Sequence, residues 1–250
     1  MKIAVVNRST RVSDADAAKM ASAWGIQSAR DVAPAWGAAV GLFTFRKPGE
    51  VQPGEIVQVI TDTPADPGVL GEHSVGADGQ PDSEVCAGVV LDNGGTVLGD
   101  SFGMDHPATA DYSVSSVGGH EAIELPGDAF VNTWWQGPMT AHGCLYAAEL
   151  CDPVQDTFYE IDGVRVPNFI LPAWSNPWHT PDMGPVDFLD VLKGRPFTKT
   201  PGGYFVIRDD AGNCTQVFGE TVPGWMRELK RQSPRFASRI RAASTTKAGA

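Results

Sequence analysis

The sequence predicts an α+β fold built around a mixed β-sheet. Short β-branched runs, Ile3–Val6 and Ile56–Ile60 among them, have the length and composition of buried strands. Helix-capping residues at Ser13, and at Ser113 or Ser115, mark the starts of two helices set among these strands. Strands and helices in this order indicate a layered fold in which helices cover a sheet.

The first half of the chain supplies most of the regular elements. We expect a helix from Ala15 to about Asp31, ended by Pro34, and then a strand at Val40–Phe45. Residues 62–83 are polar and rich in Gly, Pro and Asp, which predicts a long loop. Val85–Leu91 is apolar and predicts a fourth strand before the second helix.

The second half is expected to be irregular and to contain hairpins. Tyr159–Val166 predicts one hairpin, because Asp162 and Gly163 form a turn signal at its centre. The runs Pro201–Ile207 and Thr215–Phe218 predict a second hairpin. We therefore place one domain over residues 1–220 and a C-terminal helix or tail over 221–250.

Charge divides the chain between an acidic body and a basic end. The 250 residues carry a formal charge of −11, which disfavours nucleic-acid binding by the body. The tail is basic, with Arg227, Lys230, Arg231, Arg235, Arg239, Arg241 and Lys247 against Glu228. It could contact nucleic acid or an acidic protein surface, although a solvated helix with a frayed end is the simpler interpretation.

The sequence disfavours several other classes of protein. No stretch approaches the roughly 20 apolar residues of a membrane span, and the N-terminal apolar run is too short for a secretory signal. We expect a cytoplasmic protein. Neither a G-x-G-x-x-G motif after the first strand nor a P-loop is present. The four cysteines lack C-x-x-C spacing, so we expect buried thiols, with a Cys144–Cys151 disulfide left open.

The strongest chemical signal is the H-E-x-x-E motif in the second helix. His120 and Glu124 are separated by four residues, so they lie on one helical face and can bind one metal ion. Glu121 lies next to them, where it can accept a proton from a water molecule on the metal. Zn²⁺ is the expected cofactor. A surface ion pair between the histidine and the acids is the competing interpretation.

A catalytic zinc site needs a third protein ligand. Asp128 is two turns beyond His120, but we expect Pro126 and Gly127 to break the helix and turn Asp128 back towards the metal. The alternative third ligands are Glu149, Asp152 and His142. The remaining histidines lie in polar stretches and are interpreted as ordinary loop residues: His73, His106 and His179.

Several stretches together resemble a family of uncharacterised bacterial and phage proteins with a zincin-type metallopeptidase fold. They occur in the family's order from the first strand to about Gly219. The matching stretches are Val12–Asp14, Asp31–Gly37, His120–Glu124 with Asp128, Glu149–Gln155, Asn168–Trp174, Gly202–Tyr204 and Gln216–Gly219.

The resemblance implies a zincin-like fold and a metallopeptidase activity, in which a metal-activated water hydrolyses a peptide bond and Glu121 is the general base. It also implies an edge strand that binds an extended peptide or protein substrate, for which residues 85–91 are the candidate. Glu149 or Asp152 would then bind the metal or orient His120. The alternative is a catalytically inactive structural or assembly protein, such as a phage virion component, that binds its neighbours through its loops and basic tail. Glu124 in place of a second histidine is consistent with lost catalysis.

Overall fold

The computed structural model describes residues 1–37, 40–64, 69–99, 112–222 and 226. A five-stranded mixed sheet forms the N-terminal half, in the order β2-β1-β3-β5-β4. Its first four strands in that order are parallel, and β4 runs antiparallel to β5 at one edge of the described sheet. The strands are β1 (Lys2–Asn7), β2 (Leu42–Arg46), β3 (Ile56–Thr61), β4 (Gly71–Val75) and β5 (Pro81–Cys86). The expected α+β class with a mixed sheet is therefore confirmed.

The first helix begins where the sequence predicts and continues further. Ser13 caps helix α1 (Asp14–Gln27) by accepting a hydrogen bond from the amide of Asp16. The helix then passes through a π-helical turn, Ser28–Val32, into the short helix α2 (Ala33–Trp36). Pro34 does not end the helix, because it lies in the first turn of α2, where its missing N–H is tolerated.

The predicted loop at 62–83 and the predicted strand at 85–91 both need correction. Strand β4 and the first half of β5 lie within 62–83, and the two strands pair as a hairpin. Only Val85 and Cys86 belong to a strand, and the chain then forms helix α3 (Ala87–Asp92). Because β5 is paired on both sides, by β3 and by β4, residues 85–91 do not form an edge strand.

Helix α4 (Val114–Asp128) carries the H-E-x-x-E motif. It begins with a reciprocal capping box in which Ser113 and Ser116 bond each other's backbone amides. It packs against β4, β5 and the later strand β9 (Val164–Pro167). Pro126 lies inside the helix and does not break it, so the expected turn that would bring Asp128 back is absent from α4.

Close packing fixes the position of α4. Trp24 of α1 lies against Gly118 and Gly119, and its indole N–H donates to the carbonyl of Ser115 over 2.9 Å. The side-chain amide of Gln58 on β3 donates to the carbonyl of Gly118 over 2.6 Å. These contacts join the helix to its neighbours immediately before His120.

Antiparallel strands and short turns make up the second half. A four-stranded sheet has the order β11-β10-β7-β6, and β9 pairs with β8. Both predicted hairpins are confirmed, whereas residues 134–147, expected to be irregular, also form a hairpin. The remaining strands are β6 (Trp134–Thr140), β7 (Gly143–Ala147), β8 (Phe158–Ile161), β10 (Tyr204–Arg208) and β11 (Cys214–Phe218).

Residues 148–152 follow the last residue of β7 and pack against α4. This segment leaves β7 and is buried throughout. Cys151 packs with Ile123 of α4 and with Phe169, while Leu150 packs in the aromatic core beneath the second sheet. The segment therefore carries Glu149 and Asp152 past the inner face of α4.

The cysteines and the start of the tail are also defined. All four cysteines are free thiols, with Cys86 and Cys151 buried. Of the predicted tail, Val222 and Met226 are buried in the hydrophobic core that also contains Trp24 of α1. The basic residues of the tail, 227–247, lie outside the described residues. Within the described part of the chain, no helix is long and apolar enough to cross a membrane.

Candidate metal centre

Six ligand-type side chains converge between α4, β4 and the segment 148–152. All of them are buried, and they comprise two imidazoles and four carboxylates: His73, His120, Glu121, Glu124, Glu149 and Asp152. Two groups of three, His73/Glu121/Glu124 and His120/Glu124/Asp152, place a ligand atom of each member within 4.8 Å of the others. Either group could bind a metal ion.

The group of His120, Glu124 and Asp152, here called the His120 group, contains both residues of the predicted motif pair. His120 Nε2 lies 3.3 Å from Glu124 Oε1 and 3.0 Å from Asp152 Oδ1. In tetrahedral zinc sites with bonds of about 2.0–2.1 Å, neighbouring ligand atoms are about 3.3 Å apart. The His120 nitrogen makes no hydrogen bond of good geometry, despite these two close oxygens. The three ligand atoms all lie within 4.8 Å of one another, close enough to bind one ion.

Glu124 is held in place from outside this group. The backbone amide of Cys151 donates to Glu124 Oε1 over 3.0 Å. Such hydrogen bonds from neighbouring groups orient a ligand and raise the precision of a metal site. Because Cys151 directly precedes Asp152, one short segment both supplies a ligand and orients another.

The second group is formed around a histidine on strand β4. His73 Nδ1 lies 3.2 Å from Glu121 Oε2 and 3.3 Å from Glu124 Oε2. Its other nitrogen, Nε2, lies 3.8 Å from Glu149 Oε2. His73 is therefore surrounded by three carboxylates and is not the ordinary loop residue that the sequence suggested.

The carboxylates raise the pKa of both imidazoles. Burial alone lowers the pKa of His120, but the charges of Glu124 and Asp152 outweigh it and raise the pKa to about 10. Burial likewise opposes protonation of His73, yet Glu149 and Glu121 raise its pKa well above the usual value. Burial raises the pKa of Glu124, and the two imidazoles lower it well below its usual range. In the metal-free protein the imidazoles thus carry protons that a metal would displace.

The third-ligand candidates separate clearly. Asp152 joins His120 and Glu124, and Glu149 contacts His73. Asp128 belongs to neither group, and its carboxylate accepts hydrogen bonds from the amides of Asn132 and Thr133 after the helix. His142 is exposed in the β6–β7 turn, away from the cluster.

His179 and His106 complete the list of histidines. His179 Nε2 contacts the carbonyl of Gly184 in its own loop, as expected for an ordinary loop residue. His106 lies outside the described residues.

The sequence did carry a signal for His73. Asp78-Gly79 is a hairpin-turn dipeptide, and alternate residues on both sides of it, including Gly71, His73, Pro81 and Ser83, are buried. This alternation is weak in sequence because the buried members are small or polar rather than apolar. The position of His73 among the alternate residues of this hairpin indicates that its side chain is buried.

Comparison with known proteins gives no match to a family model, a curated protein or a solved structure.

Proposed function

We propose that this protein is a metal-dependent peptidase on a zincin-like scaffold. His120, Glu124 and Asp152 would hold the metal, and Glu121 would act as the general base. The observation that carries the proposal is the convergence of the two motif ligands with Asp152 at 3.0–3.3 Å in a buried site. Imidazole and carboxylate ligands in this number suit Zn²⁺ with one position left open.

The accessibility of the ligands supports a catalytic site. The side chain of His120 is 11% exposed, whereas those of Glu124 and Asp152 are at most 1% exposed. Catalytic zinc sites keep a position open to water or substrate, and structural sites are closed. Water or substrate would therefore reach the group past the ring of His120.

The architecture around the site supports the zincin comparison. Zincin-type folds, as the resemblance implies, place a metal-binding helix behind an antiparallel edge strand that holds the substrate. Here α4 packs against β4, the antiparallel strand at the edge of the described sheet. The substrate strand of the proposal is therefore β4 rather than residues 85–91, and an extended peptide would add to it by main-chain hydrogen bonds.

Each side chain has a role in the proposed hydrolysis. A divalent metal supplies Lewis acidity and lowers the pKa of water to about 7. Glu121 accepts the proton released from the attacking water and passes it to the leaving amine. The contact of His73 Nδ1 with Glu121 Oε2 at 3.2 Å fixes the orientation of that carboxylate. The Cys151 amide keeps Glu124 directed at His120.

Metal content and cleavage of a peptide library test the proposal together. The wild-type protein, loaded with Zn²⁺ and dialysed, should retain zinc and cleave peptides. His120→Ala should lose the metal of its group, and Glu121→Gln should lose at least 100-fold of the hydrolysis rate, the lower range for a general base. His142→Ala, in an exposed turn, is the matched control and should behave as wild type. A wild-type protein without metal after loading would refute the proposal.

A second candidate is a catalytically inactive structural or assembly protein. We propose it because Trp178 and Met183, in one surface loop, are 80% and 65% exposed. Large apolar side chains exposed together are typical of protein–protein contact sites. Metal binding without any hydrolysis that depends on Glu121, together with self-association or co-assembly lost in Trp178→Ser, would favour this candidate. Retained hydrolysis in a monomer would exclude it.

A further inference from the structure

The two oxygens of Glu124 face different histidines. Oε1 lies 3.3 Å from His120 Nε2, and Oε2 lies 3.3 Å from His73 Nδ1. A carboxylate whose oxygens each meet a different nitrogen ligand has the arrangement of a bridge between two metal ions. Two-metal sites in hydrolases hold their ions about 3.5–4 Å apart, which one carboxylate can span.

The His73 side has the contents of a second ligand group. His73 is fully buried, and its Nδ1 meets Glu121 Oε2 and Glu124 Oε2 at nearly equal distances of 3.2 and 3.3 Å. Those distances match the spacing of ligand atoms around one ion, about 3.3 Å, as in the His120 group. The remaining nitrogen, Nε2, is buried and makes no hydrogen bond of good geometry. Nε2 instead faces Glu149 Oε2 at 3.8 Å, and a carboxylate beside the second nitrogen of a ligating imidazole orients that ring.

Charge balance gives an independent argument. The six buried side chains contribute four negative charges, and metal ligation requires both imidazoles to be neutral. Two divalent cations balance the four carboxylates of this set, whereas one cation balances only two of them. Buried charges are stable only when they are paired, which favours the neutral arrangement.

We propose that the site binds two divalent cations bridged by Glu124. His120 and Asp152 complete the ligands of the first ion, and His73 and Glu121 those of the second. Imidazole ligands suit Zn²⁺ and carboxylate ligands suit Mn²⁺, so this mixed set can bind either ion. The second ion goes beyond the proposed function, which needs only the His120 group, and it gives Glu121 Oε2 a ligand role in addition to that side chain's part in hydrolysis.

The number of metal ions bound per full chain distinguishes a two-ion site from a one-ion site. After loading with excess Zn²⁺ and dialysis, elemental analysis should find two ions per wild-type chain. His73→Ala and His120→Ala should each retain one, Glu124→Ala should retain none, and the control His142→Ala should retain two. Circular dichroism of each variant reports whether it is folded. A wild-type stoichiometry of one, or an unchanged count in a folded His73→Ala, would overturn the second site while leaving the proposed function intact.

A measurement on the wild-type protein avoids any dependence on folded variants. Loaded with Mn²⁺, a bridged pair should give the electron paramagnetic resonance spectrum of two coupled ions. Isolated Mn²⁺, with its six-line spectrum at full occupancy, would overturn the bridged pair. No bound Mn²⁺ or Zn²⁺ would overturn this inference and the proposed function together.

Discussion

Replacing Gly118 with alanine tests how tightly α4 is held before the metal ligands. A Cβ atom at this position would lie 2.7 Å from Trp24 Cζ2 and 2.8 Å from Cη2. The indole cannot easily move away, because it is 1% exposed and its N–H is bonded to the carbonyl of Ser115. Gly25, on α1, provides the matched control, since a Cβ there would meet nothing within 4 Å.

Both substitutions change the helix propensity, but only Gly118→Ala also overpacks the core. Alanine is favoured over glycine inside a helix by about 1 kcal/mol, and this applies to both positions. Overpacking a well-filled core costs about 1–3 kcal/mol, and this applies to Gly118→Ala alone. We therefore expect Gly25→Ala to stabilise the protein by up to about 1 kcal/mol. The net effect for Gly118→Ala is a loss of about 0–2 kcal/mol.

Urea unfolding followed by circular dichroism measures both changes, from the shift in midpoint at a constant slope. Metal content, measured on the same samples, shows whether displacing α4 from Trp24 also disturbs the site. If Gly118→Ala raised the midpoint as much as Gly25→Ala, the close packing of α4 on Trp24 would be wrong.

Three further predictions concern the site. Asp152→Ala should lose the zinc of the His120 group, whereas Asp128→Ala should keep that zinc. Asp128→Ala should also lower the free energy of unfolding by about 1–3 kcal/mol by leaving amides unpaired, as elemental analysis and urea unfolding would reveal. Zinc at 100 times its Kd should raise the free energy of unfolding by about 2.7 kcal/mol, and chelation should abolish that gain in a thermal melt. Without metal, protonated His120 contributes stability that should be complete below pH 6.5 and lost as the pH rises towards 10. Ionised Glu124 contributes stability that should be lost as the pH falls below 4.5. Unfolding measured at a series of pH values would detect both losses of stability. The affinity for zinc should instead increase from pH 6.5 to 10, because fewer protons compete with the metal for the ligand atoms.

Local patterns in the sequence were sufficient for much of the scaffold. Ser13 and Ser113 predicted the starts of α1 and α4, and each cap is present. The i, i+4 spacing of His120 and Glu124 correctly placed both side chains in one ligand group. These features depend on residues within one or two helical turns of one another, so they are accessible without knowledge of the tertiary structure.

The errors arose where distant segments decide the structure. Pro126 predicts a break in α4, but the helix continues to Asp128. Its end packs so closely against Leu150 that Gly127 has no room for a Cβ atom. The sequence around His73 predicts a loop because the strand there is short and polar. Packing of this strand against α4 makes His73 a buried strand residue. The choice of Asp152 over Asp128 likewise depends on the path of a segment that no local pattern defines.

The scattered origin of the ligands has a consequence for the order of folding. The contact between His73 and Glu121 spans 48 residues, and the one between Glu124 and Cys151 spans 27. Contacts between distant residues form late, because the entropy of closing long loops must be overcome first. A complete metal site therefore exists only after the β4–β5 hairpin and the segment 148–152 have both docked on α4. If the site forms after the rate-limiting step of folding, zinc should leave the refolding rate unchanged and slow unfolding, and the rate of metal release would then follow the rate of unfolding.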